Sequence, residues 1–225
     1  MHTDFSHPVL AVDTGTAFLS LALRAGRQTL LHHAEAGNRQ AELILPQIRG
    51  LLAEAGVTAA DLGGIVYAQG PGAFTGLRIG AGVAQGLAVP FGIPLTGIPS
   101  LDAVAYQIPD CACVLAATDA RMGEVFYAFF DTAQHRRLSG YRVGKAAEIV
   151  PPEGAAIPRG IGNAFALDDK PPFDGSPEMP TAALLLDLAQ SGRYPAVDAA
   201  AAELLYVRDK IALTAKEQAE RKASR

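Results

Sequence analysis

A glycine-rich loop between a predicted strand and a predicted helix most constrains how this chain can fold. Residues 64–68 are apolar and predict a buried strand, and residues 69–80 read QGPGAFTGLRIG. Glycine lets a ligand or another backbone come close, and a helix that begins after such a loop offers free N–H groups to an anion. The loop is not a P-loop, because that motif ends in Gly-Lys-Ser/Thr and Leu77 follows Gly76 here.

The helix after this loop is rich in small residues. Each glycine in a helix costs about 1 kcal/mol relative to alanine, so either a ligand at the loop or a closely packed helix must offset that cost. Arg78 lies in the first turn, where the helix dipole disfavours a cation. This position indicates either a specific contact, with a phosphate or a partner carboxylate, or a solvated arginine. Small residues recur at four-residue intervals, with two more glycines on the neighbouring face: Gly76, Gly80, Ala84 and Ala88, then Gly82 and Gly86.

Composition narrows the class of protein. The 225 residues are 49% apolar, and the net charge of −4 is spread without a basic block, which does not favour a protein that holds RNA by itself. No apolar run reaches 18 residues, so no membrane span is predicted; with a polar stretch at residues 1–7, a cytoplasmic location is expected. Cys111 and Cys113 are too close in sequence for a good disulfide and are expected to pack as apolar side chains.

The pattern along the chain divides into two similar halves. Each half begins with a strand that ends in aspartate, followed by a turn and a second strand, at residues 9–16 and 114–123. Weakly similar halves suggest a duplicated α/β fold with a cleft between them. The apolar spacing further predicts strands at 8–12, 18–23, 29–34, 64–68, 113–118 and 124–130, and helices at 40–55, 76–89, 100–107, 182–190 and 209–225.

Two turns carry candidate binding residues. Residues 13–16, Asp-Thr-Gly-Thr, could hold a phosphate, with Asp13 orienting a magnesium-bound water, or could form a plain hairpin turn. Asp119 and Arg121 could form a local ion pair or face the cleft. The histidines are not three or four residues apart, so a helical metal pair is not predicted, and no Gly-x-Ser-x-Gly elbow occurs. These residues do not make up a complete catalytic apparatus.

Several segments together resemble the bacterial TsaB (YeaZ) family: residues 9–14, 70–80, 85–88, 119–125 and 206–208. The similarity runs in order from about residue 8 to about 210, loosely over 132–180. It implies an α/β, actin-like (Hsp70-type ATPase, ribonuclease H-like) fold of two lobes. The N-terminal lobe is expected at 8–100 and a smaller C-terminal lobe at 101–208, while a C-terminal helix at about 209–220 could pack back on the first lobe.

The resemblance also implies a function. A TsaB-like chain is expected to be a non-catalytic subunit in making threonylcarbamoyladenosine in tRNA, without a cofactor or metal. It would bind the paralogue TsaD, help recruit the ATPase TsaE, and meet tRNA only through the complex. Helices 40–55 and 76–89 would form the partner interface through Leu43, Ile44, Ile48, Arg78, Gly80, Ala81 and Ala84. Vestigial nucleotide loops would contain Asp13, Thr14, Gly72, Thr75, Gly76, Asp119 and Arg121.

One departure and two alternatives accompany this interpretation. Many relatives have a histidine early in the first helix where this chain has Gln40, so a role tied to that histidine does not carry over. The chain could instead be an active small-molecule kinase or ATPase of the same fold, or a module that forms a homodimer through the same helices. If the interface is right, Gly80→Leu or Ala84→Glu is expected to abolish the heterodimer and leave the monomer folded.

Overall fold

The computed structural model describes residues 1–207, which form twelve strands and four α-helices. The predicted helix 209–225, its 209–220 part and Arg208 lie outside the described residues. In chain order the elements are β1 (Val9–Asp13), β2 (Phe18–Ala25), β3 (Gln28–Glu35), α1 (Gln40–Glu54), β4 (Gly64–Gly70), α2 (Phe74–Ala88), β5 (Leu95–Pro99), α3 (Ser100–Ala105), β6 (Val114–Asp119), β7 (Val125–Asp131), β8 (Arg136–Arg137), β9 (Arg142–Gly144), β10 (Arg159–Ile161), β11 (Gly175–Ser176), α4 (Ala182–Gln190) and β12 (Ala196–Val197).

The first sheet has the strand order β12-β5-β4-β1-β2-β3. Strands β1, β2 and β3 form the antiparallel meander that the sequence predicts, and β1, β4 and β5 are parallel. Strands β1 and β4 are almost wholly buried because helices cover both faces of the sheet, which is the usual condition for parallel strands.

The two faces of this sheet form separate apolar clusters. Ile44 and Ile48 of α1 and Ala84 of α2 pack with alternate residues of β1, β2 and β4 on one face. The intervening residues of these strands pack on the other face against Leu185 and Leu186 of α4 and Ala103 of α3. The strand period of two therefore divides each strand between the two clusters.

The second sheet has the order β11-β10-β6-β7-β8, with β9 also pairing with β7. Its β6–β7 hairpin is antiparallel, as the repeat of the first half predicts, and β10 joins β6 in parallel. Helix α3 covers one face, where Leu101 and Val104 contact Val114, Phe126 and neighbouring side chains. The chain thus contains two mixed sheets that share α3 as a connecting element.

One segment of the chain does not follow the predicted lobe boundaries of 8–100 and 101–208. Helix α4 packs on the first sheet and β12 pairs with β5, so residues 182–197 return to the N-terminal part instead of completing a lobe over 101–208. The sequence of α4 predicts a helix correctly, but its apolar face does not indicate which of two sheets it covers.

Candidate functional site

The glycine loop packs directly against the turn between β1 and β2. The Ala73 N–H donates to the Gly15 carbonyl at 2.8 Å, and the Thr14 hydroxyl donates to the Gly76 carbonyl at 2.7 Å. A Cβ on Gly72 would lie 2.7 Å from the Gly15 carbonyl oxygen, and one on Gly76 would overlap the Thr14 carbonyl oxygen. Close packing within the chain therefore requires both glycines.

Gln40, at the start of α1, is hydrogen-bonded to the same turn. Its side-chain amide donates to the carbonyls of Thr16 and Phe18, each at 2.8 Å, and the residue is 4% exposed. A Cβ on Gly76 would also lie 3.1 Å from the Gln40 side-chain oxygen. Gln40 thus joins the first turn to the beginnings of both helices, a contact that the sequence pattern alone did not indicate.

Asp13 closes this turn on the cleft side. Its Oδ1 accepts a hydrogen bond from the Gly15 N–H at 2.8 Å. Burial raises the pKa of the Asp13 carboxyl, and that hydrogen bond and the nearby His33 oppose the rise. Such surroundings favour the neutral form of the carboxyl, which is a weaker ligand for a magnesium ion than a carboxylate is.

Asp119 and Arg121 form the corresponding turn after β6. The Asp119 N–H donates to the Asn163 side-chain oxygen at 2.8 Å, and the Arg121 N–H donates to Asp119 Oδ1 at 2.7 Å. The Arg121 guanidinium lies 3.4 Å from Asp119 Oδ2 and its side chain is 84% exposed. The local ion pair, one of the two predicted alternatives, is present, and both residues also line the cleft.

The two turns face each other across a cleft of about 1030 Å³. Of the predicted loop residues, all except Thr14 line it; Thr14 is buried behind the loop, with its hydroxyl bonded to the chain. Two further hydroxyls on the cleft wall, Ser100 Oγ and Thr118 Oγ1, have no hydrogen-bond partner among the described residues. They were not predicted, because serine and threonine at strand and helix ends are too common to be informative.

The predicted partner residues separate into buried and accessible groups. Leu43 and Ala81 are partly buried and Arg78 is exposed. The other four are buried in the protein's own core: Ile44, Ile48, Gly80 and Ala84.

The expectation that Gly80→Leu or Ala84→Glu leaves the monomer folded is therefore wrong. A Cβ on Gly80 would overlap the Thr14 hydroxyl, and Ala84 is fully buried. Either change would disturb the core, because overpacking and unpaired buried charges are both destabilising.

The accessible face of α2 contains Gly82 and Gly86. The sequence pattern placed these two glycines on the face next to the stripe of Gly76, Gly80, Ala84 and Ala88. Apart from the glycine, its two chain neighbours and the nearby backbone of the same helix, no described heavy atom lies within 4 Å of where a Cβ would stand on Gly82 or Gly86. The Arg78 guanidinium lies 3.7 Å from the Phe74 ring centre, and that ring lies 5.9 Å from the ring of Tyr206. Arg78 thus stacks on a ring of its own helix while its side chain stays exposed; its contact with a phosphate or a partner carboxylate stays a prediction.

The segment 202–207 runs beside this face. The Leu205 N–H donates to the Gln69 carbonyl at 2.8 Å, and the Tyr67 hydroxyl donates to the Glu203 carbonyl at 2.8 Å. The segment and α2 together border a shallow groove of about 490 Å³. Within residues 1–207, no group of three His, Cys, Asp or Glu side chains is arranged to hold a metal ion, and the described helices include none long and apolar enough to span a membrane.

Comparison with known proteins agrees with this geometry. The sequence model of the family described as "TsaD: tRNA N6-adenosine threonylcarbamoyltransferase" matches residues 32–220. The solved structure "YeaZ from Pseudomonas aeruginosa" superposes with a TM-score of 0.78 at 33% identity, covering 89% of this chain and 99% of that chain. Together they define a two-lobed α/β protein with the actin-like fold of TsaD-type proteins, which confirms the predicted fold class.

Curated relatives narrow the assignment. The protein named "tRNA threonylcarbamoyladenosine biosynthesis protein TsaB" of Escherichia coli (strain K12) is 38% identical over 145 residues, which cover 63% of this chain and 61% of that protein. The Haemophilus influenzae protein of the same name is 38% identical over 124 residues, covering 53% of this chain and 52% of that protein. The chain therefore spans between half and two thirds of the length of these relatives. It belongs to the TsaB (YeaZ) family.

Proposed function

We propose that this protein takes part in making threonylcarbamoyladenosine in tRNA as a non-catalytic subunit that binds a TsaD-type partner and helps recruit TsaE. The names of its curated relatives support the process. The predicted cytoplasmic location belongs to the same proposal, because the substrate of that process is tRNA. The observation that carries the partner role is the accessible glycine face of α2, where Gly82 and Gly86 have open space in front of them.

The proposed docking surface consists of the outward residues of α1 and α2. Gly82 and Gly86 let another helix approach closely, since glycine places no side chain between two backbones. Large apolar side chains are exposed beside them on the same side of the first sheet: Leu45 of α1 is 50% exposed, and Val89 and Phe91 after α2 are 68% and 52% exposed. Apolar patches of this kind mark interaction sites.

The originally predicted residues take two roles on this surface. Leu43, Arg78 and Ala81 reach it directly. The buried residues Ile44, Ile48, Gly80 and Ala84 support it from below, by fixing the two helices on the sheet. Arg78, Phe74 and Tyr206 form a stacked rim at one end of it, and arginine and tyrosine are frequent energetic centres of interfaces. A homodimer of the free chain would use the same surface and compete with the partner.

The geometry gives less support to a kinase or ATPase. The Ala73 N–H and the Thr14 hydroxyl, two donors that a phosphate could use, are both bonded within the chain. Asp119 and Arg121 line the cleft already paired with each other at 3.4 Å. An anionic phosphate chain would therefore meet a carboxylate and few free donors, and the raised pKa of Asp13 makes that group a weaker ligand for an accompanying magnesium ion.

A reconstituted tRNA threonylcarbamoylation assay tests the proposal. TsaC, which makes the threonylcarbamoyl-adenylate, is combined with TsaD and TsaE, and product formation is measured with and without this chain. Product that appears only with the chain is the expected result. Unchanged product formation would refute the proposed function and direct attention to nucleotide turnover by the chain itself.

Variants locate the docking surface in the same assay. Gly82→Gln and Gly86→Gln add bulk in open space and should leave the monomer folded while weakening the heterodimer and its activity. Gly140→Gln is the control for the TsaD titration, since Gly140 also has open space around it but lies in the second sheet's β8–β9 loop, away from α1 and α2. Equal TsaD affinity for all three variants, measured by titration, would refute the placement of the surface.

A further inference from the structure

Two arginine–aromatic stacks lie where the segments after α3 and α4 meet β8 and the loops on either side of it. The first is centred on Tyr106, which directly follows α3. The Arg193 guanidinium lies 4.5 Å from the centre of the Tyr106 ring, and its Nη1 donates to the Tyr106 hydroxyl at 2.8 Å. The ring of His135 stacks against Tyr106 at 5.8 Å, with 26° between the planes.

The second stack is formed by Arg137 and Tyr141, whose ring centre lies 4.0 Å from the guanidinium. A single carboxylate connects the two stacks. The Tyr141 hydroxyl donates to Asp102 Oδ1 at 2.6 Å, and the hydroxyl of Tyr194, the neighbour of Arg193, donates to Asp102 Oδ2 at 2.9 Å. His135, two residues before Arg137, also packs on the Tyr106 ring that carries Arg193, so the two stacks are neighbours although their arginines come from separate segments of the chain.

On this surface the carboxylates of Asp102 and Asp131 lie beneath guanidinium groups that are exposed. Asp102 lies beneath the stacks with both oxygens bonded to tyrosines. Asp131 is 6% exposed and bonds Arg136, which is 60% exposed, at 3.3 Å. The carboxylates thus face inward and the guanidinium groups outward, although Asp110, an exposed carboxylate in the loop before Cys111, lies close to this region. The exposed charges of the two stacks and of Arg136 are cationic, even though the whole chain carries a net charge of −4.

We propose that this surface, formed by His135, Arg136, Arg137 and Arg193, binds backbone phosphates of RNA. The inference rests on the proposed function, since the RNA would be the tRNA bound by the complex. A guanidinium fork matches phosphate oxygens in a bidentate way, and stacking on tyrosine fixes the plane of that fork before binding. The exposed His135 ring offers a stacking face for an unpaired base.

A few phosphate contacts on an acidic chain give weak binding alone. They become effective when a partner subunit already holds the same RNA, because the second contact is then intramolecular. Arg193 follows α4, which covers the face of the first sheet opposite to α1 and α2, so both surfaces can be occupied at once. Weak binding by the isolated chain is therefore the physical reason to expect that it binds tRNA only within the complex.

The test compares Arg137→Gln/Arg193→Gln with wild type in complex with TsaD, using an unmodified tRNA transcript and fluorescence anisotropy over a range of salt concentrations. Loss of two phosphate contacts should reduce the slope of log affinity against log salt by about 1.5 and weaken binding about tenfold at low salt. Arg137→Lys/Arg193→Lys should restore the slope, because the charge is kept, with only part of the affinity. The control Arg27→Gln/Arg159→Gln removes two exposed arginines elsewhere.

The outcomes separate the two proposals. An unchanged salt slope in Arg137→Gln/Arg193→Gln, or an equal reduction in the control pair, overturns this inference. If wild type still supports tRNA modification in that case, the proposed function stands and only the RNA surface is wrong. If wild type gives no stimulation of modification, the proposed function itself fails. Unfolding midpoints and TsaD titration for each variant exclude a general loss of structure, and the lysine pair decides the matter should the glutamine pair not fold.

Discussion

Gly80→Ala is a sharp test of how the glycine loop is held. The new Cβ would overlap the Thr14 hydroxyl and lie 3.4 Å from Val12 Cγ1. Thr14 is 1% exposed, and its hydroxyl donates to the Gly76 carbonyl at 2.7 Å. The hydroxyl therefore cannot move away without breaking a buried hydrogen bond, and α2 cannot move away without separating from the sheet.

The expected magnitude follows from three contributions. A buried hydroxyl left without its partner costs about 1–3 kcal/mol, and forcing an extra methyl group into a packed site costs about 1–3 kcal/mol. Replacing glycine by alanine within a helix stabilises by about 1 kcal/mol. Gly80→Ala should thus lower the free energy of unfolding by about 3 kcal/mol, whereas Gly86→Ala, in open space on the same helix, should raise it by up to about 1 kcal/mol.

Urea unfolding of a double-mutant cycle with Thr14→Ala checks the cause. Removing the hydroxyl removes the overlap, so Gly80→Ala should be close to neutral in that background. The coupling free energy, which is the difference between these two costs, should then be about 3 kcal/mol, well above the error for independent sites. An equal cost of Gly80→Ala with and without the Thr14 hydroxyl would refute the reasoning, as would a Gly80→Ala variant with wild-type stability.

Three further substitutions test other contacts. Gln40→Ala removes two buried hydrogen bonds to the β1–β2 turn and should cost about 2 kcal/mol in urea unfolding, with the exposed Gln28→Ala as a near-neutral control. Burial raises the pKa of Asp102 from 3.8, although two tyrosine hydroxyls oppose the rise. The folded state then holds this proton more tightly than the unfolded chain, so wild type should lose stability relative to Asp102→Asn as the pH rises above the ordinary value of 3.8; a parallel pH dependence of the two would contradict this. Tyr67→Phe removes the hydrogen bond to the Glu203 carbonyl and should speed amide exchange in residues 203–207, measured by mass spectrometry, at a cost of about 1 kcal/mol.

Most elements of this fold follow from local pattern, whereas their placement does not. The strand alternation of β2 and the helical spacing of α4 are readable because each depends on a few neighbouring residues. The return of α4 to the first sheet depends on how apolar faces fit after the chain has passed through a second sheet. Nothing in the nine residues of α4 indicates that destination.

The candidate site shows the same division between local and distant information. The sequence indicated that the cost of the glycines in helix propensity must be offset, either by a ligand or by a closely packed neighbour. The neighbour of Gly76 proved to be Thr14, a residue 62 positions away. The amphipathic spacing of α1 likewise marks Ile44 and Ile48 as apolar, but it cannot tell a residue that faces the sheet from one that would face a partner. Burial in the folded chain was needed to make that separation.

The four glycines of α2 therefore differ in what offsets their cost in helix propensity. Gly76 and Gly80 face the β1–β2 turn, where a Cβ would overlap Thr14 atoms, so their cost in helix propensity is offset within the monomer. Gly82 and Gly86 face outward and gain no comparable contact from the described residues, which leaves a cost of about 1 kcal/mol each without compensation in the isolated chain. A closely approaching partner would supply that compensation, since the absent side chains let two backbones meet. The argument for a docking surface on α2 rests on this asymmetry between its two glycine pairs.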